Sequence, residues 1–295
     1  MFRSIFFYLL TSLMSFLGSA QNQYEFVGAI IVEDTLTRAY PYKINFIEED
    51  GAVTGYSITN IGTVFETKNT IYGGYDAEKK ELKILEAEII YTKTPIKDDE
   101  ISCFVSFSIK PFVFGKTKRI KGRFFGESSH SERCADGDIF LTTFDKIEAR
   151  VRKVTKKISR SKRIADSIKA KIDPLKMMDS LSMNILRKDQ TLSVFSRAEK
   201  IDLVIYDGGK MDGDKIAISV NGKVLLSNYK ANNVKRVIPV YLEDAKTALK
   251  ITALNEGTIA PNTIVVEILD DENHVRALSN LKVNETTQID ILKRK

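Results

Sequence analysis

The nine residues "ISCFVSFSI", 101–109, decide how this chain is read. Ile101, Cys103, Val105, Phe107 and Ile109 fall on one side, and Ser102, Ser106 and Ser108 on the other. A period of two belongs to an extended strand with one buried face, whereas a helix needs steps of three and four. The same rhythm runs outward in both directions. "PYKINFIE" (41–48) sets Tyr42, Ile44 and Phe46 against Lys43 and Asn45, and "RIKGRFFG" (119–126) sets Ile120, Gly122 and Phe124 against Arg119, Lys121 and Arg123. In "ELKILEAEIIYTK" (81–93) the apolar phase flips between Ile84 and Leu85, which predicts a β-bulge there. Turn residues separate the runs at "EEDG" (48–51), "DAEKK" (76–80) and "KPFVFGK" (110–116). Residues 21–144 therefore predict about eight sequential strands with no helix between them, an antiparallel meander closed into a barrel or a related sandwich. The bulky inward candidates Phe26, Phe46, Phe107 and Phe124 favour an interior filled with side chains over a ligand cavity.

The phrases "FVGAIIVED", "TIYGGYDAEKKELKILEAEI" and "IKGRFFGESSHSERCADGDIFL" resemble lipocalins and avidins in rhythm: a strand containing glycine, a charged turn, then the next strand. That resemblance implies a barrel and, as an alternative function, carriage of a small apolar ligand.

The rhythm changes after Phe144. In "DKIEARVRKVTKKISRSKRIADSIKAKIDP" (145–174), Ile147, Val151, Val154, Ile158, Ser161, Ala165, Ile168 and Ile172 recur at steps of four and three, up to Pro174. Residues 145–185 thus predict a basic amphipathic helix and linker. The chain's formal charge is +6, and its positive excess is concentrated here. One reading is a spacer helix with solvated charges. The other is a docking helix, with Lys153, Lys156, Lys157 and Arg160 facing an acidic envelope protein or an anionic membrane surface. Nucleic acid is disfavoured, because no aromatic stacking residues interleave the charges.

From 186 to 295 strand rhythm returns in "TLSVFS", "KIDLVIYD", "KIAISV", "KVLLS", "VKRVIPVYL", "ALKITAL" and "TIVVEIL", which predicts a β-sandwich. Asn221-Gly222 supply the two positive φ values of a type I′ hairpin. "IDLVIYDGGKMDGDKIAISVNGKVLLSN", "ALKITALNEGTIAPNTIVVEILD" and "ALSNLKVNETTQIDI" resemble a module of exported proteins of Bacteroidetes-type bacteria. The shared positions are Asp207, Asp212, Gly213, Asp214, Asn221, Gly222, Asn255, Gly257, Pro261, Asn262 and Thr263. The resemblance implies a fold and a compartment, and no activity.

Asp207, Asp212 and Asp214 crowd one glycine-rich loop. An EF-hand register on Gly213 puts Gly208 and Lys210 at ligand positions and Ser219 at the last, so that pattern fails. A carboxylate pair for glycoside hydrolysis needs a cleft between the two groups, and one loop offers none. The three are weak metal candidates only, and the expectation is that they build turns by bonding local backbone amides. No metal and no cofactor is expected. His130, in "ESSHSERC", reads as a solvated loop residue, and His274 has no second histidine or cysteine for a metal site.

The opening "MFRSIFFYLLTSLMSFLGSAQNQYEF" has one positive residue, an apolar run from Ile5 to Leu17 and small residues up to Ala20. That is the pattern of a signal peptide over 1–20, cleaved before Gln21. In an exported chain the only two cysteines, Cys103 and Cys134, are expected to form a disulfide. Together these readings predict an exported, periplasmic or secreted, non-catalytic interaction or scaffold protein near the outer membrane.

Overall fold

The computed structural model describes residues 23–33, 38–95, 102–161, 183–208 and 211–294. The predicted signal peptide, and the helical stripe beyond Ser161, lie outside the described residues. Among the described residues no helix is long and apolar enough to cross a membrane.

The N-terminal part is a closed antiparallel barrel of eight strands. They are β1 (Gln23–Val32), β2 (Arg38–Glu49), β3 (Ala52–Thr59), β4 (Thr67–Asp76), β5 (Glu81–Thr92), β6 (Cys103–Ile109), β7 (Arg119–Ser128) and β8 (Arg133–Thr143). Each pairs with the next, and β1 pairs with β8, which closes the sheet on itself. The alternation in the sequence sets which side chains point in. Tyr42, Ile44, Phe46, Val105, Phe107, Ile120 and Phe124 are buried in one core with Phe26, Leu82 and Ile84. The inward candidates Phe26, Phe46, Phe107 and Phe124 all lie in this core. Lys43 and Asn45 do point away from that core, but they too are buried; Lys43 is ion-paired to Glu25.

The bulge expected between Ile84 and Leu85 is not there. Leu82, Ile84 and Glu86 point inward in unbroken alternation, and Leu85 is left exposed. The apolar phase flips because the barrel takes in a carboxylate at 86. The irregularity lies further along, where Ile71 pairs with Glu86, Asn69 with Ile89 and Lys68 with Tyr91. The bulged end of β5 swings out of the barrel seam, since its pairing with β6 covers only Leu82 to Leu85. Tyr91 and Thr92 pair instead with Val194 and Ser193 of β10 (Thr191–Ser196).

That pairing joins the barrel to the C-terminal part in one 13-stranded sheet. The remaining strands are β9 (Asn184–Leu186), β11 (Lys200–Asp207), β12 (Lys215–Val220), β13 (Lys223–Lys230), β14 (Arg236–Tyr241), β15 (Lys246–Ala253), β16 (Ile264–Leu269), β17 (His274–Ser279) and β18 (Thr286–Lys293). One layer, β13-β12-β15-β18-β10, continues the barrel sheet, and the other is the five-stranded β14-β11-β16-β17-β9. Ile216, Ile218, Leu249, Ile251, Ile289 and Ile291 from the first pack against Ile201, Leu203, Ile205, Val266 and Ile268 from the second. Asn221 and Gly222 have φ of 46° and 80° between β12 and β13, the turn the sequence predicts.

The helix α1 (Phe144–Arg160) lies against β1 and β8. Ser161 is extended, with φ −72° and ψ 124°, and ends α1 at Arg160; the rest of the stripe, up to Pro174, lies outside the described residues. Ile147, Val151, Thr155 and Ile158 are half-buried, and no residue of the helix is buried outright. Val154 is 49% exposed, which takes it off the packed stripe.

Candidate functional site

The three aspartates sit where the chain crosses from one sandwich layer to the other. Asp207 ends β11 in the five-stranded layer, and Asp214 immediately precedes β12 in the other. Asp212 lies in the connection. One carboxylate oxygen from each falls within 4.8 Å of the others. Asp207 and Asp214 are buried and Asp212 half-buried.

A second loop, 255–263, clasps this crossover from behind. The backbone N–H of Ile259 donates to Asp212 Oδ2 at 2.8 Å, and that of Thr263 to Asp214 Oδ2 at 2.8 Å. The N–H of Thr258 donates to the carbonyl of Asp212 at 3.1 Å. Asn255 accepts from the N–H of Lys215 at 2.6 Å and donates to the carbonyl of Gly213 at 2.9 Å. Asn262 donates to the carbonyls of Lys215 and Asn255. Gly257 has φ +59°, and a Cβ there would lie 2.5 Å from the Asp212 carboxyl carbon, so only glycine fits against that carboxylate. The end of β13 closes the third side: the N–H of Ala231 donates to the carbonyl of Asp214 at 3.0 Å, and that of Asp207 to the carbonyl of Asn232 at 2.7 Å.

The reading of these aspartates as formers of their own turn is corrected by this geometry. Asp212 and Asp214 bond amides 47 and 49 residues further along the chain. "DGGKMDGD" and "NEGTIAPNT", read in the sequence as two separate turns, make one site. A cue was present: both segments belong to the set of positions that carries the Bacteroidetes-type resemblance. Asn221 and Gly222, from the same set, lie on the β12–β13 hairpin.

The electrostatics are those of crowded acids. Burial pushes the Asp214 carboxyl up to about 6, and the nearby charges of Asp212, Asp207 and Glu256 push the same way, against the Thr263 hydrogen bond. Asp214 Oδ1 and Asp212 Oδ1 are both buried with no hydrogen-bond partner. A surface hollow lined by Met211, Asp212, Gly213, Lys230, Ala231, Asn232 and Thr258 opens beside them.

The other candidates are placed as follows. Cys103 and Cys134 form a disulfide across the barrel rim, with Cα atoms 5.9 Å apart. It bridges β6 to β8 over the end of β7, where a Cβ on Gly126 would come within 2.6 Å of the Cys103 sulfur. Lys153, Lys156, Lys157 and Arg160 are all exposed on α1. His130 is exposed in the β7–β8 turn, its N–H donating to Ser128 Oγ at 3.2 Å. His274 Nε2 lies 3.4 Å from Glu267 Oε2 on the outer face of the five-stranded layer.

Sequence reasoning missed a buried carboxylate inside the barrel. Glu86 accepts from Tyr42 and Ser57 hydroxyls, from Asn69 Nδ2 at 3.1 Å and from the backbone N–H of Val105 at 2.8 Å. Burial holds its carboxyl above the usual range, against those four hydrogen bonds. It also missed the cleft of about 710 Å³ at the rim where β5 leaves β6, with Phe65, Ile89, Phe104, Phe195 and Pro95 on its apolar side. The phase flip at Leu85 was the available signal for both.

No protein-family model, characterised protein or solved structure matches this chain.

Proposed function

We propose that the protein is an exported, non-catalytic interaction or scaffold protein, an accessory component at the periplasmic side of the outer membrane or of its secretion machinery. The observation that carries this reading is the exposed cationic face of α1. Lys153, Lys156, Lys157 and Arg160 stand on a helix whose opposite stripe is only half-buried. A face of one sign suits an acidic partner protein. The leader-like opening of the sequence and the Cys103–Cys134 disulfide support export. The aromatic side chains packed inside the barrel support a surface role over an interior one.

The second reading, carriage of a small apolar ligand, is supported by the rim cleft. Its volume of about 710 Å³ lies in the range of small-molecule sites, and Phe65, Phe104 and Phe195 give it an apolar side. Cross-linking in the host envelope followed by pull-down tests the first reading. A defined envelope protein recovered with α1 peptides supports it. Native mass spectrometry of the protein from its own host tests the second: a bound apolar molecule would displace the scaffold reading.

A further inference from the structure

We infer that Asp207, Asp212 and Asp214, held by the 255–263 loop, form a calcium site that pins the crossover between the two sandwich layers.

A cluster of acids alone would not carry this. The decisive observation is what the carboxylates lack. Asp214 is 1% exposed, and it spends Oδ2 on the Thr263 amide while Oδ1 is buried with no partner. Asp212 repeats the arrangement, with Oδ2 on the Ile259 amide and Oδ1 buried without a partner. A buried carboxylate oxygen with no donor loses its hydration and receives nothing in return. Here that loss occurs beside other carboxylates, so repulsion adds to it. A bound cation removes both costs together.

The donor set selects the ion. All three donors are carboxylate oxygens. Zinc favours nitrogen and sulfur, which this site does not offer. Magnesium keeps most of its water and takes one or two carboxylates, whereas calcium accepts several carboxylates and tolerates irregular geometry. Two oxygens bound to one calcium at ~2.4 Å lie no more than ~4.8 Å apart. The three carboxylates meet that limit, being within 4.8 Å of one another. The remaining positions are filled by water, and the hollow beside Asp212 and Lys230 gives the ion a route in. The EF-hand pattern fails in the sequence because the ligands flank a crossover between sheets instead of following a helix.

The full mature chain, stripped with a chelator, is titrated with calcium chloride by calorimetry and by thermal melting. One calcium per chain is expected, with a melting temperature raised by roughly 5–10 °C at a hundredfold excess over Kd. Asp212→Asn and Asp214→Asn keep the shape and remove a charge. Each is expected to lose the calcium response, and in chelator to melt no lower than wild type, because repulsion is relieved. A wild type that neither binds calcium at millimolar concentration nor shifts its melting point overturns the site, and that titration decides even where a variant fails to fold. An equal response to magnesium overturns the choice of ion, and a calcium shift that survives in Asp212→Asn overturns the choice of residues.

Discussion

The backbone N–H of Val105 donates to Glu86 Oε2 at 2.8 Å, at the point where β5 leaves the barrel seam. The ladder between β5 and β6 ends at the Leu85–Ser106 pair. Val105 therefore faces a gap where a strand carbonyl would otherwise lie. An amide buried without a partner costs about 1–3 kcal/mol, and the Glu86 carboxylate supplies the missing acceptor. Tyr42, Ser57 and Asn69 fill its other acceptor positions. The acid inside the barrel is thus the device that lets one strand end a barrel and begin a junction.

Replacing Glu86 tests this directly. Glu86→Ala leaves four donors buried without an acceptor and is expected to destabilise by about 3 kcal/mol or more. Glu86→Gln keeps the shape, accepts from Asn69 and Val105 and donates to the two hydroxyls, so its cost should be well under half of that. Glu86 also carries a pH signature. Its folded pKa is raised, so its contribution to stability is complete below the unfolded carboxylate value and is lost as pH rises through the folded value. Urea melts across that window should show wild type losing stability relative to Glu86→Gln as pH rises. A constant difference would mean that the carboxyl does not titrate abnormally.

The disulfide closes a loop of 31 residues at the barrel rim. Chain entropy places its contribution at roughly 3–4 kcal/mol. The Cys103→Ser, Cys134→Ser double variant should lose about that much while keeping the strand signal in circular dichroism. Quantitative alkylation of both thiols in denatured, unreduced protein would remove the bridge from the account.

The strand rhythm made the barrel legible because a half-buried sheet forces alternation on residues such as Tyr42, Ile44 and Phe46. The same rule misled at Leu85. Alternation reports side-chain direction only when the inward residue is apolar, and Glu86 breaks that assumption. The rim cleft was hidden for the same reason, since the strand departure at Glu86 opens it. The aspartates were visible but not their clasp, because the Ile259 and Thr263 amides come from 47 and 49 residues away and backbone donors leave no trace in side-chain chemistry. The joining of the two halves through β5 and β10 rests on pairings at Tyr91 and Thr92 that no local pattern announces.

That junction is sealed by a buried ion pair. Lys93 Nζ donates to the carbonyl of Ile185 at 3.0 Å and lies 3.8 Å from Glu66 Oε2, and both side chains are 2% exposed. Burial lowers the Lys93 pKa, against the pull of Glu66. Lys93→Met strands the Glu66 charge and should cost roughly 3–5 kcal/mol, and Glu66→Gln alone leaves the Lys93 charge without its partner. Lys93→Met with Glu66→Gln removes both charges and should recover most of it. If the two single costs simply add in the double variant, the pair is not coupled and the seal lies elsewhere, as in the contacts of Arg294 with Glu88 and Ile89.

The basic face of α1 carries the functional reading, and its charges separate docking from spacing. Lys153, Lys156, Lys157 and Arg160 are exposed, while Ile147, Val151 and Ile158 on the other side of the helix are half-buried. Changing all four to Glu should leave the melting temperature within a few degrees of wild type, because surface substitutions away from packed contacts cost about 0.5 kcal/mol or less apiece. The same variant should lose association with the envelope fraction. Wild-type association should weaken as salt rises, since exposed charges are screened beyond ~8 Å at physiological ionic strength. A quadruple variant that still co-fractionates and cross-links like wild type would make α1 a spacer and move the search for the partner surface to the β-sheets.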